Sequence, residues 1–358
     1  MENKEALEAL IKMSKYAGQR FDLVQAGGGN TSVKFGDYMY IKASGYLLSE
    51  LTKDTGHTIV KTEEVVAILR DDAVLGISDK KEKDATASKK LQMTKVNDGP
   101  RPSIETYLHA LLYKYTLHVH SISVNMFTSH QNWLQKMAEL DSEALYVCYE
   151  TPGIELALEL QKQMEVYKTN FGRLPHVIFL QNHGLIISSD NYEDIEVFNE
   201  KVVVTAEKKA GIDFSRYRDT TKIANSYNET FQREDIAYLS EDAVITELLN
   251  ALDPELLKKP FSPDGYVFCG YTMLNVDELQ TAIFRKYQEL YFDAPKIVRY
   301  NESLYIMAED LKKAKMIEDV FKNNLLIANT LGYDLEFLED SEISYLGNWE
   351  AEKYRQKL

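Results

Sequence analysis

Apolar positions near the start of the chain recur with the period of a helix: Ala6, Leu7, Leu10, Ile11, Met13 and Tyr16 share one face. The run Ala26-Gly27-Gly28-Gly29-Asn30 breaks that period. Residues 31–35 and 38–43 then read as two strands about Gly36-Asp37, a hairpin turn. A short helix is expected from Glu63 to Leu69, followed by a long surface loop over the polar and charged residues 70–100. Pro102-Ser103 predicts a helix start, with the helix running through Ile104 to about Tyr113. Residues 117–121 and 144–149 read as strands, and Pro152-Gly153 opens a helix from Ile154 to about Tyr167. Strands at 176–180 and 185–188 flank Asn182-His183-Gly184, and a helix from about Tyr192 to Ala210 stops at Gly211.

From about residue 226 a second α/β rhythm begins. It predicts a helix over 241–252, strands at 266–269, 296–300 and 303–307, and a helix from Leu311 to about Thr330. No internal repeat is present. A chain of 358 residues exceeds one ordinary core. Two domains are therefore expected, 1–225 and a smaller α/β domain over 226–358.

Composition narrows the partners. Lys plus Arg number 41 against 56 Asp plus Glu, a net charge of −15. Nucleic acid and anionic membranes reward clustered cations, so neither is expected as a partner. A phosphorylated metabolite needs only a local site and stays open. The N-terminus lacks a basic segment followed by an apolar stretch, and no apolar run approaches the roughly 18–20 residues of a membrane span. A cytoplasmic protein is expected. Cys148 and Cys269 each lie in an apolar strand-like run and are expected to be buried free thiols in a reducing compartment.

Candidate chemistry begins at His118-Val119-His120. Residues i and i+2 of a strand project from one face, so both imidazoles can reach one ion. His183, between two strand-like runs, supplies a third ligand, and Gly184 is expected to let the backbone turn tightly there. His57 and His130 sit in polar surroundings and read as solvated, whereas His109 and His176 read as packed or hydrogen-bonded. Glu105 lies at the start of the expected helix. It is either a helix-terminal acid or, beside a metal-bound oxygen, a general acid or base. Gly27-Gly28-Gly29-Asn30-Thr31-Ser32 has the makings of an anion nest, and Ala43-Ser44-Gly45 offers a second set of donors after Lys42. The first is no dinucleotide fingerprint, because a strand follows it.

Taken in order, these pieces resemble the class II aldolase/adducin family. The residues that carry the resemblance are Gly28-Gly29-Asn30-Thr31-Ser32, Ile41-Lys42-Ala43-Ser44-Gly45, Pro102-Ser103-Ile104-Glu105-Thr106 with Leu108-His109, His118-x-His120 and Asn182-His183-Gly184. The later chain, at Phe261-Ser262-Pro263-Asp264, Ala294-Pro295-Lys296-Ile297-Val298 and the stretch from Asn348 to Arg355, resembles the aldolase half of bifunctional rhamnulose-phosphate aldolase/dehydrogenases. The resemblance implies a three-layer α/β fold with a central, mostly antiparallel sheet flanked by helices. It implies Zn2+, or another divalent ion such as Mn2+ or Co2+, on His118, His120 and His183, stabilising an enediolate. Glu105 matches the proton-exchanging residue, which competes for the metal before substrate arrives. Asn30, Ser44, Gly45 and Ser103 match the positions that hold a substrate phosphate.

The implied activity is aldol cleavage of a ketose or ketose 1-phosphate, in a homo-oligomer, by resemblance a tetramer. Decarboxylation, dehydration or 4-epimerisation of a sugar phosphate would use the same metal, although related 4-epimerases tend to carry Asp at the Glu105 position. A non-catalytic adducin-like module would be expected to lack the ligands. Ile104 departs from the pattern, since small aldolases of the family often have a second phosphate-binding Ser there. The proton donor to the aldehyde fragment is a Tyr in such enzymes, and Tyr354 is a candidate.

Overall fold

The structure, a computed structural model, describes residues 3–348. Helix α1 (Lys4–Gly18) buries the stripe Ala6, Leu10, Met13 and Ala17 and is capped by the Asn3 side chain, which accepts from the Ala6 N–H. Seven strands follow: β1 (Asn30–Phe35), β2 (Tyr38–Lys42), β3 (His57–Lys61), β4 (Tyr115–Val119), β5 (Leu145–Val147), β6 (Val177–Leu180) and β7 (Gly184–Ser189). They form one sheet in the order β3-β2-β1-β4-β7-β6-β5, antiparallel throughout except for the β5–β6 pair.

Alternation along these strands splits the core. Val33, Leu117, Val119, Leu185 and Ile187 enter one apolar cluster with residues of α1, α6 (Ile122–Thr128), α7 (Trp133–Leu140) and α9 (Glu193–Ala210). Ile41, Ile178, Leu180 and Ile186 enter the other, with α2 (Thr62–Ile68), α4 (Lys80–Met93), α5 (Thr106–Leu111) and α8 (Ile154–Phe171). Helices thus cover both faces, giving the three layers expected.

The expected loop over 70–100 instead contains α3 (Asp72–Leu75) and α4. Asp79 caps α4 by accepting from the Glu82 N–H, and the helix buries Ala87 and Leu91. With so few apolar residues it shows no stripe in sequence, which is why its period was hidden.

The chain divides into two compact units, Met1–Phe214 and Ser215–Leu358. Helix α10 (Ser215–Phe231) opens the second, so position 225 falls inside a helix. The second unit holds a four-stranded sheet, β8 (Ile236–Ser240), β9 (Leu274–Val276), β10 (Ile297–Tyr300) and β11 (Ser303–Ala308), in the order β8-β11-β10-β9. Ile297, Leu304 and Ile306 pack there with α11 (Ala243–Ala251), α12 (Pro263–Cys269) and α14 (Leu311–Leu331); α13 (Thr281–Tyr291) and α15 (Asp340–Asn348) complete the unit.

Residues 266–269, expected as a strand, are the end of α12. Ser262 caps that helix by accepting from the Gly265 N–H, and Pro263 pre-sets its first turn. A four-residue apolar run carries too little period to tell the two apart. Cys269 is buried, but Cys148 is exposed, one residue past the end of β5. No helix among the described residues is long and apolar enough to cross a membrane. The segment from Trp349 on, with Tyr354, lies outside the described residues.

Candidate active site

Strand register assembles the site. β1 pairs with β4 so that Asn30 stands opposite His118, and β4 pairs with β7 so that His118 stands opposite Ile186. His118 is buried near the end of β4, His120 follows one residue past it, and His183 lies on the turn between β6 and β7. The three rings converge edge to face, and their Nε2 atoms nearly touch: His118 to His120 is 3.1 Å and His118 to His183 is 3.3 Å.

Backbone holds this wedge. The left-handed residue of the turn is Asn182 (φ 55°), not Gly184. Gly184 is required for space, since a Cβ there would collide with the Val119 carbonyl and stand 3.2 Å from both the His118 and His120 rings. Gly28 is pressed in the same way, with a Cβ falling 2.7 Å from His120 Nδ1. The glycine-rich turn therefore serves the histidines as packing.

Glu105 precedes α5, and its side chain makes no bond to the helix N–H groups. Glu105 thus stands at the helix N-terminus without capping it through its side chain. Its carboxylate faces the rings instead, Oε1 at 3.0 Å from His183 Nε2 and Oε2 at 3.6 Å from His118 Nε2. The Asn30 amide donates to Oε2 at 2.5 Å. Behind Asn30, its Oδ1 meets His109 Nε2, and His109 Nδ1 meets Ser32 Oγ at 2.7 Å. His109 is thus the packed, hydrogen-bonded histidine expected, as is His176, which bonds the Ser188 carbonyl and stacks on Tyr113. His130 is exposed, but His57 is half-buried at the start of β3 with its ring edge on Tyr40.

Burial pushes the Glu105 carboxyl up, yet the His118 and His183 imidazoles and the Asn30 amide outweigh it and hold the group well below the ordinary carboxylate range. Burial pushes His118 far down against the opposing pull of Glu105, and lowers His120 as well. Burial thus favours the neutral form of the His118 and His120 imidazoles. His118 Nδ1 lies 3.1 Å from the Leu185 carbonyl, which can only accept, so Nδ1 carries the proton and Nε2 presents a lone pair.

Nitrogens on one tetrahedral zinc-type ion at 2.0–2.1 Å stand about 3.3–3.4 Å apart. The donor set fits such an ion, and His118, His120 and His183 are the residues that could hold it.

Ser103 Oγ accepts from the Glu105 N–H at 3.3 Å and faces the Asn30 amide at 3.5 Å. Ser44 and Gly45 (φ 89°) are exposed on the loop after β2. The buried Lys42 ammonium reaches the Gly27 carbonyl at 3.4 Å and feels the field of Glu105.

Two supports escaped sequence reasoning. Asn125 donates to the His183 carbonyl at 3.2 Å. Buried Arg20 pairs with Asp22 at 2.5 Å, and the Asp22 carbonyl accepts from the Ile122 N–H just after the histidine strand. Neither has a sequence signal, because each acts through a main-chain group far away along the chain.

Residues 8–207 match the family model of the class II aldolase and adducin N-terminal domain. A curated relative, the uncharacterized oxidoreductase YuxG of Bacillus subtilis, is 24% identical over 204 residues, 53% of this chain and 27% of that protein. The chain therefore spans only about a quarter of that relative's length. Among solved structures, the N-terminal class II aldolase domain of a conserved Thermoplasma acidophilum protein is 25% identical, covering 59% of this chain and 96% of its own, with a TM-score of 0.49. An L-fuculose 1-phosphate aldolase is 18% identical, covering 61% and 95%, with a TM-score of 0.39.

Proposed function

This chain belongs to the class II aldolase and adducin family, and on that premise we propose that it is a metal-dependent aldolase, cleaving a ketose or ketose 1-phosphate into a dihydroxyacetone-type fragment and an aldehyde. The observation that carries the reading is the convergence of three imidazole Nε2 atoms with the Glu105 carboxylate. His118, His120 and His183 hold the ion, which we take to be Zn2+. When bound, it supplies Lewis acidity toward the carbonyl and hydroxyl oxygens of the sugar.

Glu105 moves the proton beside the carbonyl. It is ionised, aimed by the Asn30 amide, and within reach of the same point as the three rings. Its carboxylate stands beside the same nitrogens and would compete with substrate for such an ion. Ser103, Ser44, Gly45 and Asn30 hold a phosphate, with the Lys42 charge nearby; Ser44 and Gly45 lie open to solvent for that purpose. A tetrameric assembly and a small sugar-phosphate partner belong to the same proposal.

Metal analysis of the purified protein should give about one divalent ion per chain. Incubation with ketose 1-phosphates and their unphosphorylated forms should release an aldehyde. Full activity in metal-free protein sinks the reading, and carbon dioxide released without an aldehyde replaces it with a decarboxylase using the same residues.

A further inference from the structure

Strand β1 divides its side chains between two helices. Thr31 and Val33 turn toward α1, where Thr31 Oγ1 meets Ser14 Oγ at 2.5 Å and Val33 enters the apolar cluster. Asn30, Ser32 and Lys34 share the opposite face by the strand period of two. All three reach α5, each at a different height. The Asn30 amide donates to the Glu105 carboxylate just ahead of the helix, and Ser32 Oγ meets His109 Nδ1 within it. The Lys34 ammonium donates to the Ala110 carbonyl at 2.9 Å and to the Leu112 carbonyl, at the far end.

Carbonyls at a helix C-terminus have no partner inside the helix, and a lysine can satisfy them. Lys34 comes from the sheet, so its bonds tie that end of α5 to β1. The other end is joined to the same rod. The Glu105 carbonyl accepts from the Leu108 N–H at 3.0 Å and from the His109 N–H at 3.4 Å. Six helical residues rise about 9 Å in all, so α5 moves as one piece and a slide at Leu112 arrives at Glu105. Tyr107 and Leu108 bury the helix in the second apolar cluster. Apolar contact is non-directional and resists sliding weakly, whereas the hydrogen bonds of Lys34 have a preferred direction.

We propose that Lys34 is a positioning residue for Glu105: by gripping the far end of α5 it sets how closely the carboxylate approaches the three imidazoles. This rests on the reading of Glu105 as the group that moves a proton beside the ion. The carboxylate stands 3.0 Å from His183 Nε2 and 3.6 Å from His118 Nε2, which leaves little latitude. A misplacement on the order of 1 Å at such a site can cost about 10²-fold in rate.

Two readouts separate this role from a purely structural one. Lys34→Met removes the donors, Lys34→Arg keeps them, and Lys34→Gln keeps an amide donor on a shorter stem in case Lys34→Met does not fold. The first readout needs no substrate. Co2+ absorbs visible light according to its ligands, so Glu105→Gln should alter the spectrum of the cobalt-loaded protein. Lys34→Met and Lys34→Gln should shift it the same way with about one ion per chain retained, and Lys34→Arg should keep the wild-type spectrum. In the second, kcat should fall about tenfold in Lys34→Met while KM stays within about twofold. Lys34→Arg should recover most of that loss, and Lys34→Met should add nothing in the Glu105→Gln background. A spectrum unchanged in the Lys34 variants, or in Glu105→Gln itself, overturns the assignment, and so do additive losses in the double variant. Loss of the ion in Lys34→Met also overturns it, because Lys34 would then support the histidines. A lower Tm with wild-type spectrum and kcat leaves Lys34 a structural residue and overturns it as well. If wild type cleaves no ketose, the lyase reading fails and the cobalt spectrum alone decides the role of Lys34.

Discussion

Strand β4 serves two different interiors. Leu117 and Val119 enter the apolar layer beneath α1 and α9, while Thr116 and His118 face the opposite way among polar neighbours. That second face carries a buried seam: Thr116 Oγ1 to Ser188 Oγ at 2.9 Å, the Tyr113 N–H to Ser188 Oγ at 3.0 Å, and Ser32 through His109 and Asn30 to Glu105. Both faces exclude water. On the first, stability follows the apolar area removed from solvent. On the second it follows whether every donor and acceptor is matched, because each unmatched group costs about 1–3 kcal/mol. Chemistry belongs on the second face, where the partners that satisfy the seam also aim the ligands.

The sharpest break of this comparison is His118→Ala, which should abolish metal binding and turnover together while leaving a folded protein by circular dichroism. Retained stoichiometric metal would dismiss the three-histidine centre. Glu105→Gln comes next: metal content unchanged, with kcat reduced by roughly 10²–10⁴, the usual worth of a general acid or base. An unaltered kcat removes its proton-transfer role. On the apolar face, Leu117→Ala should cost about 2–5 kcal/mol in denaturant unfolding, yet the folded fraction should still bind one ion per chain. Loss of metal there would mean that the two faces are not separable.

The smallest effect concerns the seam and pH. Burial pushes His109 down to about 3 from an ordinary value near 6.5, with Glu105 opposing and Lys34 assisting. Above about pH 6.5 neither the folded nor the unfolded chain protonates this ring. As pH falls from there toward 3 only the unfolded chain takes the proton, so stability is lost across that window. In chelator-treated protein, His109→Gln should flatten the acid limb by on the order of a few kcal/mol relative to wild type. Parallel curves would show that this ring contributes nothing to acid sensitivity.

Much of this was legible in the sequence because it is local. His118 and His120 share a strand face by period, and Asn182-His183-Gly184 sits visibly between two apolar runs. The three layers were expected from the family resemblance, not from any strand pattern. What stayed hidden is non-local or lacks a pattern. α4 has two buried apolar residues and no stripe, so a charged helix passed for a loop. The role of Gly184 concerned the Val119 carbonyl on the neighbouring strand, which no spacing rule reports. Cys148 looked interior because its preceding residues are, but the strand ends at Val147 and the next side chain leaves the core.

The close approach at Gly184 and Gly28 has a consequence for which ions the protein accepts. The cage is backed by main chain on two sides, at the first residue of β7 and in the turn before β1, and the paired strand at Gly184 does not swing aside as a rotamer does. Its aperture is therefore fixed before any ion arrives, like a gauge cut to one diameter. Nitrogen donors at this spacing suit a small ion with short bonds. A large oxygen-seeking ion such as Ca2+ wants six to eight ligands at about 2.3–2.6 Å; it would have to spread rings that the backbone does not release. With the proposed ion in place, two missing methyl groups would thus favour a small cation over abundant large ones.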